Sequence, residues 1–446
     1  METVAPVRAP SSRLESRRAA LLALELPAAA APMRRAALEV AEIVRTLEAD
    51  DDVVVAAMLQ PLIEEKFLDR DAAATHFGED AVRLARDLGQ LGHFGLPPDW
   101  SPERGLESAQ AEALRKMLVA IIGDVRLVVV KLAEQLQKMR TAKSLDAAIR
   151  RKFAVETREV YAPLANRLGV WQVKWELEDL SFRYLQPADY QHIAAALKLR
   201  RSERERYIEE LKGRLQGELR AAGIEASIDG RPKHIYSIWR KMQSKRLAFE
   251  EIMDIRAARV QVNTVAECYA ALGIVHSLWQ FIPGEFDDYI ATPKDNLYRS
   301  IHTAVHGPGM QPVEIQIRTY EMHAHAERGV AAHWRYKEGG RSDQAYERKI
   351  NQLRALLTPD AQDSTHDFLE RMRVELFQDR VYVLSPKGEI VDVPVGGTPL
   401  DFAYQVHTDL GHRTRGAKVN GRMVALDYQL KNSETVEIIA SKTAHP

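Results

Sequence analysis

The sequence predicts a multidomain protein in three parts: an all-helical segment, then an α/β segment, then a small β-rich unit. Three observations carry that division. Through about residue 195, Ala, Leu, Glu and Arg dominate, apolar residues recur every three or four positions, and strand-like alternation is scarce. From Glu225 onward, short alternating runs appear with helices between them. After about Leu376, two strand-like runs flank Ser385-Pro386-Lys387-Gly388, a hairpin signal. The divisions fall at 1–195, 196–340, 341–373 (a polar helical connector interrupted near Pro359) and 374–441.

Composition agrees with this scale. At 446 residues the chain suits about three domains. Apolar residues are 46% of it, enough for sizeable cores, and the formal net charge of −1 argues against a polyanion-binding coat, so local patches must carry any nucleotide or RNA contact. The single cysteine, Cys268, excludes an internal disulfide and suits a reducing cytosol. The most apolar stretch, Leu118–Ala133, is broken by Asp124, Arg126 and Lys131, so no membrane span is expected. The alanine run at 28–31 is no signal peptide, and a cytoplasmic protein is expected.

In chain order, the loop Gly95–Pro102 carries Pro97, Pro98 and Pro102 and interrupts the helices. A highly charged helix runs from Arg200 to Leu219 and ends at Ala222-Gly223, with glycine as the C-cap. Strands are expected at Glu225–Asp229, Asp254–Val262, Ile301–His306 and Val313–Arg318, and a helix over Ala324–Tyr336. A turn at Gly307–Gln311 joins the last two strands. Pairing about residue 309 sets His302 opposite Gln316 and Ala304 opposite Glu314, where the small alanine leaves the carboxylate room; a one-residue slip would flip the faces. In the terminal unit, strands Arg380–Leu384 and Glu389–Val393 precede a helix from Thr398.

Residues 230–337 concentrate the chemistry, in a pattern that suits two nucleotides and a metal ion. Lys233, Ser237 and Lys241 are four apart and would form one stripe on a helix, with Arg231 in the loop before it. A helix N-terminus with four such donors is a polyphosphate cradle; a solvated basic face is the plainer alternative. In the strand Val313–Thr319, Val313, Ile315 and Ile317 face a core, while Glu314, Gln316 and Arg318 face either a ligand or solvent. Asp254, at a strand start, can pair with Glu314 as a Mg²⁺ site, or form a salt bridge to Arg256 or Arg259. Tyr298 can stack on a nucleobase and Lys294 can meet a phosphate, or the two can be a packing residue and a surface charge.

The blocks Gly230–Met242, Met253–Val260, Asp287–Val305, Val313–Thr319 and His323–Lys337, in this order, resemble the RelA/SpoT homologue family, which makes and degrades the alarmone (p)ppGpp. The resemblance covers essentially the whole chain. It implies a helical HD-type domain, a nucleotidyltransferase-like α/β synthetase domain, and a β-grasp TGS domain that includes Val381–Val424. It also implies transfer of pyrophosphate from ATP to the 3′-hydroxyl of GDP or GTP, releasing AMP. On matching positions, Arg231, Lys233, Ser237 and Lys241 resemble the ATP-binding set. Asp254 resembles the Mg²⁺ ligand. Glu314 resembles the second acid, which activates the acceptor hydroxyl and touches the metal. Lys294, Asn296, Tyr298, His302 and Ala326 resemble the guanine-nucleotide side, with Tyr298 stacking on the base. The chain departs at Leu297 and Arg299, where the family has Gly and Gln. If that glycine needs positive φ, Leu297 costs something.

Hydrolase-competent relatives hold a metal, usually manganese, through an early His, a His-Asp pair and a later Asp. Here the early segment reads Ala36-Ala37, the pair reads Gln60-Pro61, and the late position is Glu134. Ala, Gln and Pro cannot replace imidazole or carboxylate on a divalent ion. Glu64-Glu65 survives where relatives have Glu-Asp. The resemblance therefore implies a synthetase-only type with a degenerate HD domain. A non-catalytic ribosome- or tRNA-binding regulator, or a bifunctional enzyme, are the alternatives. Glu285-Phe286-Asp287-Asp288, expected as an acidic loop, matches the form found in synthetase-only relatives. It implies a lean toward GDP, because its carboxylates would repel the γ-phosphate of GTP or recruit a cation. The TGS resemblance implies the ribosome and uncharged tRNA as partners, together with C-terminal regions that longer relatives carry. His412, in a loop beside Gly411, is the candidate tRNA contact, and His407 is expected to pack on the small core. The sequence fixes no oligomeric state.

Overall fold

The computed structural model describes residues 11–47, 49–91, 124, 126–199, 201–231, 233–249, 252, 256–294, 298–328, 380–386, 390–431 and 434–441. The 95–102 loop, the 341–373 connector, the expected helix beyond residue 328, Asp254, Asn296, Leu297 and Lys387-Gly388 lie outside the described residues.

The first part is helical throughout its described residues: α1 Ser12–Ala23, α2 Ala31–Thr46, α3 Asp51–Glu64, α4 Arg70–Phe77, α5 Glu79–Gln90, α6 Arg126–Thr141, α7 Ala147–Glu156, α8 Ala162–Arg167, α9 Trp171–Leu185 and α10 Pro187–Leu199. Side-chain caps start several of them. Ser11, Asp50, Asp69 and Asp146 each accept from a backbone N–H of the first turn. In α2 the buried Ala37, Val40, Ala41 and Val44 follow helical spacing. In α3 nearly every residue from Val53 to Ile63 is buried, so this helix runs through the centre of the bundle.

The charged helix α11 Arg201–Ala221 leads through Gly223, at φ +73°, into the α/β part. There follow β1 Ser227–Gly230, α12 Ile235–Lys245, β2 Ala257–Val262, α13 Val265–Leu278, β3 Gln280–Asp288, β4 Ile301–His306, β5 Pro312–Thr319 and α14 Tyr320–Arg328. The strands form one mixed sheet in the order β1-β2-β5-β4-β3, with β2 and β5 parallel and the other pairs antiparallel. The β4–β5 register sets His302 opposite Gln316 and Ala304 opposite Glu314. One face buries Ile228, Val260, Ile301, Val313, Ile315 and Ile317 against α11 and α13. The helix α13 starts with a Thr264–Glu267 capping box and buries Cys268, Ala271 and Val275. A separate apolar cluster joins Phe182 and Ile193 of the helical part to Ile238 of α12 and to Phe249 and Ile252, so α9 is packed against the α/β part.

Two expectations about this region are corrected, and one open alternative, the solvated face of β5, is decided. The acidic Glu285–Asp288 segment is not a loop but the end of β3, with Phe286, Asp287 and Asp288 opposite Thr303, His302 and Ile301. Pro283 and Gly284, at φ +84°, bulge the strand between Phe281 and Phe286. Pro, Gly and clustered acids have low strand propensity, and pairing with β4 overrides it. The polar face of β5 is not solvated: Gln316 is 0% exposed and Arg318 1%. Lys233 is not on the helix, because α12 begins at Ile235 with His234 extended before it.

The third part holds β6 Arg380–Leu384, β7 Ile390–Pro394, α15 Pro399–Val406, α16 Thr408–Arg413, β8 Thr414–Val419, β9 Arg422–Val424 and β10 Val436–Ala440. The strands β6 and β7 pair antiparallel, a three-stranded sheet runs β10-β8-β9, and Leu384 bridges to Thr435. Val381, Val383, Phe402, Val419, Leu430 and Val436 form its core. His412 lies in α16, not in a loop, and its Nδ1 is 3.1 Å from the Tyr404 hydroxyl. His407 is exposed rather than packed on the core; its Nδ1 accepts from the Asp409 N–H and caps α16.

Candidate functional site

A cavity of about 190 Å³ opens where β1, α12, β2, β4, β5 and α9 meet. Arg231, Lys233 and Ser237 line one side, and His302, Glu314 and Gln316 another. Arg231 leaves the end of β1 with its N–H bonded to the Ala257 carbonyl at 2.8 Å. Lys241, one turn beyond Ser237, is not among the lining residues. The first turn of α12 is already capped: Asp179 of α9 accepts from the Tyr236 N–H at 2.8 Å and sits 3.4 Å from His234 Nδ1. One N–H of the expected helix-terminus cradle is thus taken by a carboxylate, beside the cations Arg231 and Lys233 that line the cavity.

Glu314 projects from β5 between the two sets. Its Oε1 accepts from Gln316 Nε2 at 2.7 Å and lies 3.2 Å from His302 Nδ1. The other imidazole nitrogen, Nε2, is 2.9 Å from the Tyr298 hydroxyl. Glu314, His302 and Tyr298 thus form a continuous chain. Burial alone would raise the Glu314 carboxyl, but the His302 hydrogen bond and charge, with Arg231 and Lys233, hold it well below the usual carboxylate range. Burial disfavours the His302 imidazolium, yet Tyr298 and Glu314 together raise its pKa. Burial would likewise raise the Tyr298 phenol, but His302, Arg318 and Arg231 bring it down to about 7.

The ring of Tyr298 is 7% exposed. Trp171 of α9 meets it edge-on at 5.7 Å, Tyr289 at 6.1 Å, and Ala326 closes the same cluster. Lys294 Nζ lies 4.2 Å from the Tyr289 ring centroid and 5.7 Å from that of Tyr298, and burial lowers its pKa. Lys294, Tyr298, His302 and Ala326 are thus brought together. Asp287 is opposite His302 in the ladder. Asp288 has a local role: it accepts from the Ile290 and Ala291 N–H groups at 2.9 Å and from the Tyr269 hydroxyl at 3.0 Å. Glu285 is exposed on the edge strand.

The sequence did not single out Trp175 and His234, and it offered Arg259 as a salt-bridge partner of Asp254. Trp175 lines the cavity from α9, and only its spacing of four from Trp171 hints at a shared helix face. Arg259 pairs with Glu327 at 3.2 Å; burial and the nearby Arg318 lower its pKa to about 10. Arg318 Nε and Nη1 are buried without a hydrogen-bond partner among the described residues. The sheet behind the cavity is therefore rich in buried positive charge, an environment that attracts a polyanion.

Among the described residues no group of three or more His, Cys, Asp or Glu is gathered for a metal ion. Gln60 bonds to Glu64, and Lys131, 6% exposed, pairs with Glu134 at 2.9 Å.

These three units are recognisable in known proteins. Residues 19–171 match the HD domain, residues 230–341 the region found in RelA / SpoT proteins, and residues 381–440 the TGS domain. The chain thus joins a helical HD domain to a RelA/SpoT synthetase region built on a mixed sheet and to a TGS domain. Several of its homologues are named GTP pyrophosphokinase. The Escherichia coli K12 protein of that name is 47% identical over 416 residues, 92% of this chain and 55% of that one. A Synechocystis protein named as a probable guanosine-3′,5′-bis(diphosphate) 3′-pyrophosphohydrolase is 44% identical over 414 residues, 91% of this chain and 53% of that one. The crystal structure of small alarmone synthetase 1 from Bacillus subtilis, bound to its product pppGpp, is 27% identical with a TM-score of 0.25, covering 34% of this chain and 85% of that one. The chain spans about half the length of the curated relatives it matches. No helix among the described residues is long and apolar enough to cross a membrane.

Proposed function

We propose that the chain is a monofunctional (p)ppGpp synthetase that transfers pyrophosphate from ATP to the 3′-hydroxyl of GDP or GTP and releases AMP. The observation that carries this reading is the cavity in which Arg231, Lys233 and Ser237 face Glu314 and His302. A polyphosphate seats on the cations, and the acceptor hydroxyl comes to the carboxylate side. The 3′-oxygen attacks the β-phosphorus, its proton passes to Glu314, and the bond to the α-phosphate breaks with AMP as the leaving group. Cations around the transferring group stabilise its charge. Lys241 extends the phosphate set along α12. Lys294, Asn296, Tyr298, His302 and Ala326 hold the guanine nucleotide, and Asp287 with Glu285 biases the acceptor toward GDP.

Mg²⁺ is the cofactor in this reading, held by Asp254 and Glu314. Glu314 is the carboxylate that lines the cavity among the described residues, which suits an ion that takes one or two protein carboxylates and completes its shell with phosphate and water. When bound, it neutralises phosphate charge. The HD domain is a retained scaffold: the Lys131–Glu134 pair and the Gln60–Glu64 bond support a site without hydrolytic metal. Uncharged tRNA on the ribosome is the partner of the TGS unit, through His412, in the cytoplasm.

Incubation with ATP, GDP and Mg²⁺ should give AMP and ppGpp. Absence of both would favour the non-catalytic regulator. Incubation of ppGpp with Mn²⁺ should release no pyrophosphate, and release would make the enzyme bifunctional.

A further inference from the structure

The acidic end of β3 divides between the two faces of the sheet, because successive side chains of a strand point to opposite sides. Asp287, opposite His302, shares the cavity side. Asp288, opposite Ile301, shares the side that packs on α13. Its carboxylate is already committed there. Oδ1 accepts from the Ile290 and Ala291 N–H groups at 2.9 Å, and Oδ2 accepts from the Tyr269 hydroxyl of α13 at 3.0 Å. The Thr292 N–H closes the turn onto the Asp288 carbonyl at 3.1 Å, and the Lys294 N–H donates to the Tyr298 carbonyl at 3.2 Å.

This turn delivers two residues to the cluster around Tyr298. The Tyr289 N–H donates to the Ser300 carbonyl at 3.0 Å, and its buried ring lies 6.1 Å from that of Tyr298 and 5.4 Å from that of His302. Lys294 ends the turn with Nζ 4.2 Å from the Tyr289 ring centroid. A turn keeps one shape when its N–H groups find fixed acceptors, and an Asp side chain that bonds the backbone two and three residues on supplies them. We propose that Asp288, braced by Tyr269, is a positioning residue of the acceptor pocket: it folds the 289–294 turn from the α13 side of the sheet, and so fixes Tyr289 and Lys294, without touching the nucleotide. The inference rests on the reading of Lys294, Tyr298 and His302 as the guanine-nucleotide side. It splits the acidic segment into two jobs. Glu285 and Asp287 bear on the choice between GDP and GTP, whereas Asp288 serves both acceptors alike.

The test uses the full chain as wild type, Asp288→Ala, Asp288→Asn and Tyr269→Phe, with folding checked by circular dichroism. GDP and GTP are each varied at saturating ATP, then ATP at saturating GDP, and binding of GDP and of GTP without ATP is measured by calorimetry. Loss of the carboxylate in Asp288→Ala should raise KM and Kd for both acceptors by the same factor, about tenfold. KM for ATP should stay within about twofold. Asp288→Asn should recover most of the loss, because the amide oxygen still accepts from both N–H groups. Tyr269→Phe, which removes one hydrogen bond at an exposed site, should raise both acceptor constants about threefold. Acceptor constants unchanged in Asp288→Ala overturn the proposal. So does an altered GDP-to-GTP ratio, which would set the carboxylate against the acceptor phosphates. A matching rise in KM for ATP also overturns it, as general damage to the fold, and so does an Asp288→Asn no better than Asp288→Ala. If Asp288→Ala does not fold, Tyr269→Phe decides, and unchanged constants there refute the inference. If the wild type makes no AMP, the synthetase reading fails by itself and the calorimetry still decides. If the wild type binds neither GDP nor GTP, the acceptor pocket and this inference fall together.

Discussion

Replacing Glu314 by glutamine tests the centre of the site with almost no change of shape. The amide keeps an oxygen where Gln316 Nε2 donates at 2.7 Å and where His302 Nδ1 stands 3.2 Å away. The charge is lost, and with it the group that takes the acceptor proton. Arg231 and Lys233, which help hold that carboxyl ionised, lose an anionic neighbour. ATP binding should therefore be kept or strengthened while the rate falls. A positioned base contributes about 10²–10⁴ in rate, equal to about 3–5 kcal/mol on the barrier. Steady-state assay of AMP release should show kcat reduced by that factor, with KM for ATP equal to or below the wild-type value. Single-turnover measurement should place the loss in the chemical step. Near wild-type turnover would refute the role of Glu314, and so would a raised KM with an intact kcat.

Three further outcomes follow from particular contacts. The Glu314 carboxyl is held below its reference value of 4.5, so its contribution to stability is complete above about that pH and is lost as pH falls through the folded value; the gap in thermal midpoint between wild type and Glu314→Gln should narrow in acid, and a constant gap would contradict the shift. Cys268 is 0% exposed, and burial, with Glu267 and Asp288 nearby, pushes its thiol up to about 12, so native protein at pH 8 should resist thiol-reactive dyes that label it fully once unfolded. A Cβ at Gly411 would come 2.4 Å from the Tyr404 ring, so Gly411→Ala should destabilise the TGS unit by about 1–3 kcal/mol and disturb the Tyr404–His412 contact, read as a lower melting transition and a shifted His412 ring resonance.

Much of the sheet was legible in local pattern. Strict alternation over Val313–Thr319 and the turn before it were enough to pair His302 with Gln316, because a period of two allows one register that buries Val313, Ile315 and Ile317. The same alternation could not say whether Glu314, Gln316 and Arg318 meet water, since that depends on which elements cover the other face. The strand β3 was missed because Pro283, Gly284 and the acids beside them read as loop, and only the partner strand reveals a ladder that tolerates a bulge. The spacing of Lys233 and Ser237 suggested a helical stripe, whereas the cap geometry at His234 ends the helix before Lys233 while leaving both residues on the cavity.

By itself the sequence determined the order of the three units, the identities of Ala37, Gln60 and Pro61 in the helical part, and the cations and carboxylate that line the cavity. Those are matters of which side chains exist and at what local period. Only the tertiary structure decided that Asp179 caps α12, that Trp171 packs edge-on against Tyr298, and that Trp175 walls the cavity. Each joins residues more than 50 positions apart in the chain. No local period encodes such a meeting, which arises from the apolar packing of α9 and α10 against α12.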